Sequence, residues 1–282
     1  MPFNIVKLEQ YAGHKDSVYA FEIDHKRNVI YSAGADGCVI AWSLNKKAQG
    51  KMILQTSEAL YSIALFGNVL RVGSKSGRIY DISLTEKKLL KDVVLHRGGV
   101  FALGNGYSGG EDGIFRYDDV DYQISSLSVR CTELTSNGLA IGCSDHNIHL
   151  FNETEKRVSH VLKGHTNSVF AMCSIDEQTL LSAGRDGAIK AWDLSLMKEV
   201  FSVSAHMYQV KSLAWNGAQL LSCSMDKTIK IWNEALDLQK VIDIDRYASH
   251  TNCINKVAWI NEREFISCSD DRSLIRWKLE PT

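Results

Sequence analysis

The sequence predicts an all-β fold in which seven four-stranded antiparallel blades close into one β-propeller. The first observation behind this prediction is a segment that recurs about every 40 residues, which is the length of a propeller blade. The second is that each recurrence consists of short β-branched or aromatic runs separated by polar or glycine-containing turns. The third is a spare strand near the N-terminus, which we expect to complete the last blade and close the ring.

Four repeat units share the same spaced residues. In each, an Asp follows a Ser by four residues, a Trp follows that Asp by six, and a His lies 16 to 18 residues before the Ser. Three weaker units end at Tyr80, Tyr117 and Phe151, so that successive units are 34 to 45 residues apart. The strong units contain the quartets His14, Ser32, Asp36 and Trp42; His165, Ser182, Asp186 and Trp192; His206, Ser222, Asp226 and Trp232; and His250, Ser267, Asp271 and Trp277.

Each unit contains the runs expected for the strands of one blade. In the first unit the inner three runs are residues 18–23, 28–32 and 39–42, with a tight turn at 35–37. A fourth run follows the aromatic residue that ends each of five units, at 51–54, 89–95, 157–162, 199–203 and 240–244. Long helical periodicity is absent from the sequence. The last unit has no such fourth run after Trp277, whereas residues 3–9 form a run before the first His, and pairing the two would leave no open sheet edge.

Composition places limits on the function. The chain has 282 residues, 45% of them hydrophobic and 23% charged, with a formal net charge of −1. This balance argues against a protein that coats nucleic acid or an anionic membrane, and no apolar run approaches the roughly 18 residues of a membrane span. The seven cysteines form no CxxC pair, as expected for reduced thiols, and we expect a cytoplasmic location. The two prolines lie near the chain ends, so we expect one domain over residues 1–282.

The dipeptides Gly13-His14 and Gly164-His165, each followed about 27 residues later by Trp42-Ser43 or Trp192-Asp193, resemble those of the WD-repeat family of propellers. The resemblance covers the whole chain, strongly in units one, five, six and seven and loosely in units two to four. The layout is also similar to that of compact stand-alone bacterial WD-repeat proteins. The family implies a hydrogen-bonded tetrad of Asp, His, Ser and Trp within a blade.

Ser, His and Asp together also suit a catalytic triad, but a triad is needed once and not in every blade. We therefore predict that the quartets are structural, and we predict no catalytic residue, cofactor or metal. Unit three has His96, Ser108 and Asp112 with Tyr117 in the Trp place, so we expect a partial hydrogen-bond chain there. Unit two has Arg71 in the Ser place, and unit four retains Asp145. We interpret His149 as a packing or surface residue and Lys46 and Lys47 as solvated loop residues.

A candidate binding surface follows from the innermost run of each unit. These runs align on one apolar residue, which is Val18 in the first unit, and the residue after it points to the opposite face of a strand. The family resemblance places these residues at the rim of the channel on the top face, near the residue that precedes each tight-turn Asp. The predicted rim contains Tyr19, Tyr61, Phe101, Arg130, Phe170, Lys211 and Asn255, with Arg185, Met225 and Asp270 from the turns.

Two interpretations of the rim remain open, because its aromatic residues could bind a partner or only fill gaps between blades. The composition suits a protein-binding patch, and the basic residues favour acidic or phosphorylated groups on the partner. We therefore predict a non-catalytic scaffold that binds proteins or peptides, acting as a monomer or as a subunit of a larger complex, without nucleic acid or membrane as a partner. The alternative is an enzyme or small-molecule binder that uses the mouth of the channel.

Overall fold

The computed structural model describes residues 3–45 and 49–281. Lys46 and Lys47, interpreted above as loop residues, lie outside this part of the chain. Its described residues form seven four-stranded sheets, each corresponding to one predicted blade. None of the helices in this part of the chain is long and apolar enough to cross a membrane.

The first four blades follow one another along the chain after strand β1 (Phe3–Ala12). Blade 1 contains β2 to β5, at Val18–Asp24, Val29–Gly34, Cys38–Ser43 and Lys51–Gln55. Blade 2 contains β6 to β9, at Leu60–Phe66, Val69–Ser74, Arg78–Ser83 and Lys88–Val94. Blade 3 contains β10 to β13, at Val100–Gly104, Tyr107–Gly110, Ile114–Tyr117 and Val120–Gln123. Blade 4 contains β14 to β17, at Val129–Thr135, Gly138–Cys143, Asn147–Asn152 and Arg157–Lys163.

The remaining blades complete the ring. Blade 5 contains β18 to β21, at Val169–Ser174, Thr179–Gly184, Ala188–Asp193 and Lys198–Ser204. Blade 6 contains β22 to β25, at Val210–Trp215, Leu220–Ser224, Ile229–Trp232 and Leu238–Ile242. Blade 7 contains β26 to β28, at Ile254–Trp259, Glu264–Ser269 and Ser273–Pro281, together with β1. A short helix α1 (Ile244–Tyr247), capped by Asp243, lengthens the link between blades 6 and 7.

The N-terminal strand closes the ring, as the sequence predicts. Strand β1 runs antiparallel to β28, from the pair Phe3 and Pro281 to the pair Ala12 and Ser273. It therefore takes the outermost position of blade 7, the place that β5 takes in blade 1. Ile5 from β1 packs into the same apolar cluster as Trp277, so closure also buries apolar surface.

The core lies between neighbouring blades. Trp42 of blade 1 packs with Tyr11 and Ile266 of blade 7, and Trp192 of blade 5 packs with Leu150 of blade 4. A tryptophan at the end of the third strand thus fills the space against the preceding blade. Because each blade buries its apolar faces only against its two neighbours, the stability of the fold depends on every interface of the ring.

Candidate interaction surface and buried tetrads

Every inner strand contains a β-bulge at the predicted rim residue. In β2, Val18 pairs with Gly34 and Ala20 pairs with Ala33, so Tyr19 is the extra residue. The same one-residue shift occurs in the other six inner strands. A bulge breaks the ladder locally and redirects the side chain of the extra residue. Simple alternation along a strand, on which the sequence prediction rested, does not include this effect.

The seven bulged residues meet at one end of the central channel, here called the channel mouth. They line a cavity of about 560 Å³ together with the small residues that follow them, such as Ala20 and Ser62. The exception among those following residues is Lys256, whose Nζ lies 2.9 Å from Glu22 Oε1 of the next blade. The bulged residues are Tyr19, Tyr61, Phe101, Arg130, Phe170, Lys211 and Asn255.

Contacts between blades connect these side chains around most of the mouth. The rings of Tyr19 and Tyr61 meet edge to face with centroids 5.5 Å apart, and Tyr61 stacks on Phe101 at the same separation. The guanidinium of Arg130 lies 4.3 Å from the centroid of Phe101 and 5.6 Å from that of Phe170. Lys211 Nζ lies 5.1 Å from the centroid of Phe170, so cation–π contacts continue the series.

Asn255 connects the seam between blades 7 and 1. Its side-chain amide donates hydrogen bonds to the carbonyl oxygen of Val18, at 2.9 Å, and to Asp270 Oδ1, at 2.8 Å. The carboxylate of Asp270 therefore faces the rim, as the sequence predicts, but it is held by Asn255. In the same way, Glu111 accepts a hydrogen bond from the backbone N–H of Gly99.

A cationic cluster lies on the opposite side of the mouth and consists of Arg130, Arg185 and Lys211. Arg185 is exposed in the turn after β19. The burial of Arg130 lowers its own pKa, and the positive charge of Arg185 adds to this effect, whereas the negative charge of Glu111 opposes it. Arg130 Nε donates to Ser144 Oγ at 2.8 Å. Within the described ranges, none of the three cations forms an ion pair with a carboxylate.

Two exposed residues beside the cationic cluster were missed by the sequence analysis. Met207 is 87% exposed and Tyr208 is 59% exposed, in the link that enters blade 6. They adjoin the predicted rim residue Met225, because Met225 N donates to Gln209 O at 3.1 Å. The only signal in the sequence was their position directly after the tetrad residue His206.

The structure brings each strong quartet together as one hydrogen-bond chain. Asp–His distances are 2.7–3.0 Å, His–Ser distances 2.7–2.8 Å and Trp–Ser distances 2.7–2.9 Å. With the Asp ionised, His Nδ1–H donates to Asp, the Ser hydroxyl donates to His Nε2, and the indole N–H donates to Ser Oγ. The four serines are Ser32, Ser182, Ser222 and Ser267, and each has 0% exposure, so no substrate reaches them.

Electrostatics keep the tetrad carboxylates ionised. Burial raises the pKa of Asp226, but hydrogen bonds from His206 and Thr228 outweigh it and lower the pKa to about 2. Asp271 also has its pKa lowered to about 2, since its bonds to His250 and Ser273 outweigh burial. Burial lowers the pKa of His206, although Asp226 opposes this. In blades 1 and 6 the chain is thus a neutral imidazole, His14 or His206, held by a charged carboxylate.

The weaker blades use other contacts. In blade 3, His96 bonds Asp112 at 3.1 Å and Ser108 at 2.8 Å, but Tyr117 donates to Glu153 instead of Ser108. In blade 4, His149 from the third strand bonds Asp145 at 3.0 Å and is 8% exposed. It thereby supplies the imidazole that this blade lacks upstream of its inner strand.

The assignment of Arg71 to the Ser place of blade 2 is wrong by one residue. Strand register pairs Val72 with Tyr80, as it pairs Ser32 with Ile40, so Val72 occupies that place. Arg71 faces the other way and forms a two-pronged ion pair with Asp81, at 2.7 and 2.8 Å. In blade 2 the Trp place is Ile82, ten residues after Val72, because Ile82 pairs with Leu70 as Trp42 pairs with Ile30.

One group of metal-ligand type occurs among the described residues. Cys143, Asp145 and His149 place one potential ligand atom each within 4.8 Å of one another. His149 is already hydrogen-bonded to Asp145, and burial raises the pKa of the Cys143 thiol, which disfavours the thiolate that a metal needs. We therefore interpret these three residues as a packed cluster held by the hydrogen bond between His149 and Asp145.

Comparisons with known proteins agree with this architecture. Four segments, residues 6–43, 156–193, 197–233 and 243–278, match the sequence model of WD40, "WD domain, G-beta repeat", and together they cover more than half of the chain. The WD40 propeller domain of Doa1 superposes with a TM-score of 0.86 at 20% identity, over 98% of this chain and 97% of that one. At this identity the likeness shows the fold alone.

Sequence relatives include the ribosome biogenesis protein YTM1 of Debaryomyces hansenii, 26% identical over 81% of this chain and 54% of that protein. The mouse Denticleless protein homolog is 35% identical over 42% of this chain and 17% of that protein. The chain thus spans about half the length of YTM1. These relatives are eukaryotic, so they do not support the expected closer likeness to bacterial proteins. Because the matched segments cover more than half of the chain and contain its four complete tetrads, within a ring of seven four-stranded blades, the chain belongs to the WD40-repeat family.

Proposed function

We propose that this chain is a non-catalytic interaction platform that binds a protein or peptide segment at the channel mouth. The observation that carries the proposal is the linked series from Tyr19 to Lys211, which combines aromatic faces with cations that form no ion pair with a carboxylate within the described ranges. Aromatic residues and arginine dominate the energetics of protein interfaces. The ring and cation–π contacts within the series hold these side chains in place before binding, which lowers the entropic cost of association.

The chemistry of the partner follows from the cationic cluster. Arg130, Arg185 and Lys211 surround one face of the mouth, and a segment with acidic or phosphorylated side chains would complement them. The carboxylates of Asp270 and Glu111, in blades 7 and 3, lie on either side of blades 4 to 6 in the ring and are held by hydrogen bonds. We expect the acidic part of the partner to contact blades 4 to 6.

A small-molecule or enzymatic role for the mouth is the alternative, and the volume of about 560 Å³ is in the range of ligand pockets. Catalysis would require convergent acid and base groups. Glu22, which lines the cavity, is paired with Lys256. We therefore favour the interaction platform, and the net charge of −1 makes nucleic acid a weaker partner than protein.

The setting of this platform is also a proposal. The seven cysteines are free in the structure, which supports a reducing compartment such as the cytoplasm. YTM1 is named for ribosome biogenesis, and a comparable role in an assembly would suit this chain, acting either as a monomer or as a subunit. The affinity capture described next identifies its partners.

The double variant Arg185→Glu/Lys211→Glu tests the proposal. Affinity capture from native extract with the unmodified protein identifies partners, and we expect the variant to lose their binding at least about tenfold, because it places two acids against an acidic segment. The matched control is Lys51→Glu/Lys163→Glu, which reverses two exposed charges on outer strands. Equal capture by the rim variant and the unmodified protein would refute binding at the channel mouth.

A further inference from the structure

The tryptophan that completes a tetrad is missing from blade 3. In the four complete tetrads the indole lies ten residues after the Ser, and ten residues after Ser108 is Asp118. Asp118 lies in the turn between β12 and β13 with φ of 49°, and its N–H donates to Gly106 O at 3.0 Å. The sequence prediction of Tyr117 for the Trp place is therefore wrong, since Tyr117 pairs with Tyr107 and reaches Glu153 of blade 4.

A cavity of about 210 Å³ occupies the corresponding space between blades 2 and 3. Ile79 and Leu95 form the apolar part of its blade 2 side, which also includes Arg71 and Lys91. On the blade 3 side, Ser108 and Arg116 supply polar groups beside the ring of Tyr107. In other blades this space against the preceding blade is filled by the indole, as for Trp192 against Leu150. Asp118 and Asp119, which are exposed, form the side of the cavity that reaches solvent.

Two polar atoms on this cavity have unused hydrogen-bonding capacity. Ser108 is 3% exposed and donates to His96 Nε2, but its oxygen lacks the N–H donor that Trp42 supplies to Ser32. Arg116 Nε is buried without a hydrogen-bond partner, and Asp119 Oδ1 lies 3.8 Å away. The cavity thus offers one buried acceptor and one buried donor, and leaving either unpaired is unfavourable.

We propose that this cavity binds a small planar nitrogen heterocycle of about the size of indole, whose ring N–H donates to Ser108 Oγ. The ligand takes the place that an indole side chain occupies in the complete tetrads, between Ile79 and Leu95. A cavity of about 150 Å³ accommodates benzene, so a volume of about 210 Å³ suits a fused bicyclic ring. A hydrogen-bond acceptor on the ring would pair with Arg116 Nε–H. This site is independent of the channel mouth and of the proposed function.

Calorimetric titration of the full chain with indole and with benzofuran tests the site. The two probes have nearly the same shape, but benzofuran carries an oxygen in place of the ring N–H. We expect saturable binding of indole that is roughly 3- to 10-fold tighter than that of benzofuran, because one net hydrogen bond distinguishes them. Ser108→Ala should abolish this preference.

Ser182→Ala is the matched control, because the same hydroxyl in blade 5 is already bonded to Trp192, and it should leave indole binding unchanged. If Ser108→Ala does not fold, Leu95→Phe serves instead, since a larger ring in the cavity should weaken both probes at least about fivefold. Absence of saturable binding, equal affinity for the two probes, or unchanged binding by Leu95→Phe would each overturn the proposal.

Discussion

Each tetrad serine joins two side chains that would otherwise be buried without a partner. Ser182 bonds both His165 and Trp192, at 2.7 Å each, and Asp186 holds the other face of His165 at 2.7 Å. The Asp also accepts from the backbone N–H groups of Thr166 and Ala188. The quartet therefore fastens the tight turn, the inter-blade link and the third strand to one another. This arrangement recurs in four blades, which favours a structural role for the tetrad.

Asp186→Ala should lower the free energy of unfolding by about 1–3 kcal/mol, because it leaves His165 Nδ1 and the N–H of Thr166 without an acceptor. Urea denaturation of the unmodified protein and the variant measures the difference. Asp245→Ala, at an exposed position in α1, is the control and should have little effect. A loss for Asp186→Ala that is as small as that of the control would contradict the structural role of the chain.

Residue-level prediction succeeded where the pattern repeats and failed where it degenerates. The four complete quartets could be identified because identical spacing defines identical places in a strand. In blades 2 and 3 the aromatic residues Tyr80 and Tyr117 do not occupy the Trp place, which the strand register and spacing assign to Ile82 and Asp118. The replacement of an imidazole by His149 in blade 4 could not be predicted, because it depends on strand pairing rather than on spacing.

At the scale of the strand, the inner bulges determine what the channel mouth presents. The sequence indicated which seven residues belong together, since the apolar residue before each one could be aligned. It could not indicate the bulge, because a bulge depends on how many residues the partner strand places opposite, as with Val18 and Ala20 against Gly34 and Ala33. Whether these residues bind a partner or only pack remains the prediction tested by the rim variant.

The closing strand gives a second prediction at this scale. Removal of residues 1–10 should lower the melting temperature by at least about 5 °C and promote aggregation, because it uncovers the edge of β28 and removes the buried side chain of Ile5. Differential scanning calorimetry and light scattering measure both effects. An unchanged melting curve would contradict closure by this strand.

A matched pair of point variants separates closure from the loss of chain length. Ile5 is 7% exposed within the cluster of Trp277, whereas Leu8 is 42% exposed at a register shift between Lys7 and Glu9. Ile5→Asp should therefore reproduce much of the destabilisation of the truncation, and Leu8→Asp should not. Equal melting temperatures for the two variants would show that β1 does not hold the ring through its inward face.

At the scale of the whole molecule, the repeat length predicted the fold, and closure followed from the strand count. Apolar clusters fill the interfaces between blades, and four blades each contain a polar tetrad. Blades 2 to 4, which lack complete tetrads, rely more on packing and on pairs such as Arg71–Asp81. The segments that match the WD40 sequence model begin again only at residue 156, so blades 2 and 3 and the first three strands of blade 4 are unmatched. Divergence is therefore concentrated on one side of the ring.

Because carboxylates, imidazoles, thiols and a phenol with shifted pKa values are buried in this ring, its stability should pass through a maximum between about pH 6.5 and 9. On the acid side, the pKa values of Asp226 and Asp271 are about 2 when folded, so their contribution is complete above pH 4 and is lost as the pH falls towards 2. Burial lowers the pKa of His14 and His206, so below about pH 6.5 the unfolded chain takes up protons first and the loss begins earlier.

On the alkaline side, stability also falls, because buried thiols and a buried phenol keep their protons to higher pH in the folded chain than in the unfolded chain. Burial raises the pKa of Cys253 to about 11 and that of Cys173 and Tyr11 to about 12, so the unfolded chain releases these protons first as the pH rises. Free energies of unfolding from urea titrations between pH 3 and 10 measure both limbs. Asp271→Asn should flatten the acid limb below pH 4, whereas Asp245→Asn should leave it unchanged. Constant stability from pH 7 to 3 would contradict the assignment of charged carboxylates holding neutral imidazoles, because that arrangement requires the unfolded chain to bind more protons throughout this range.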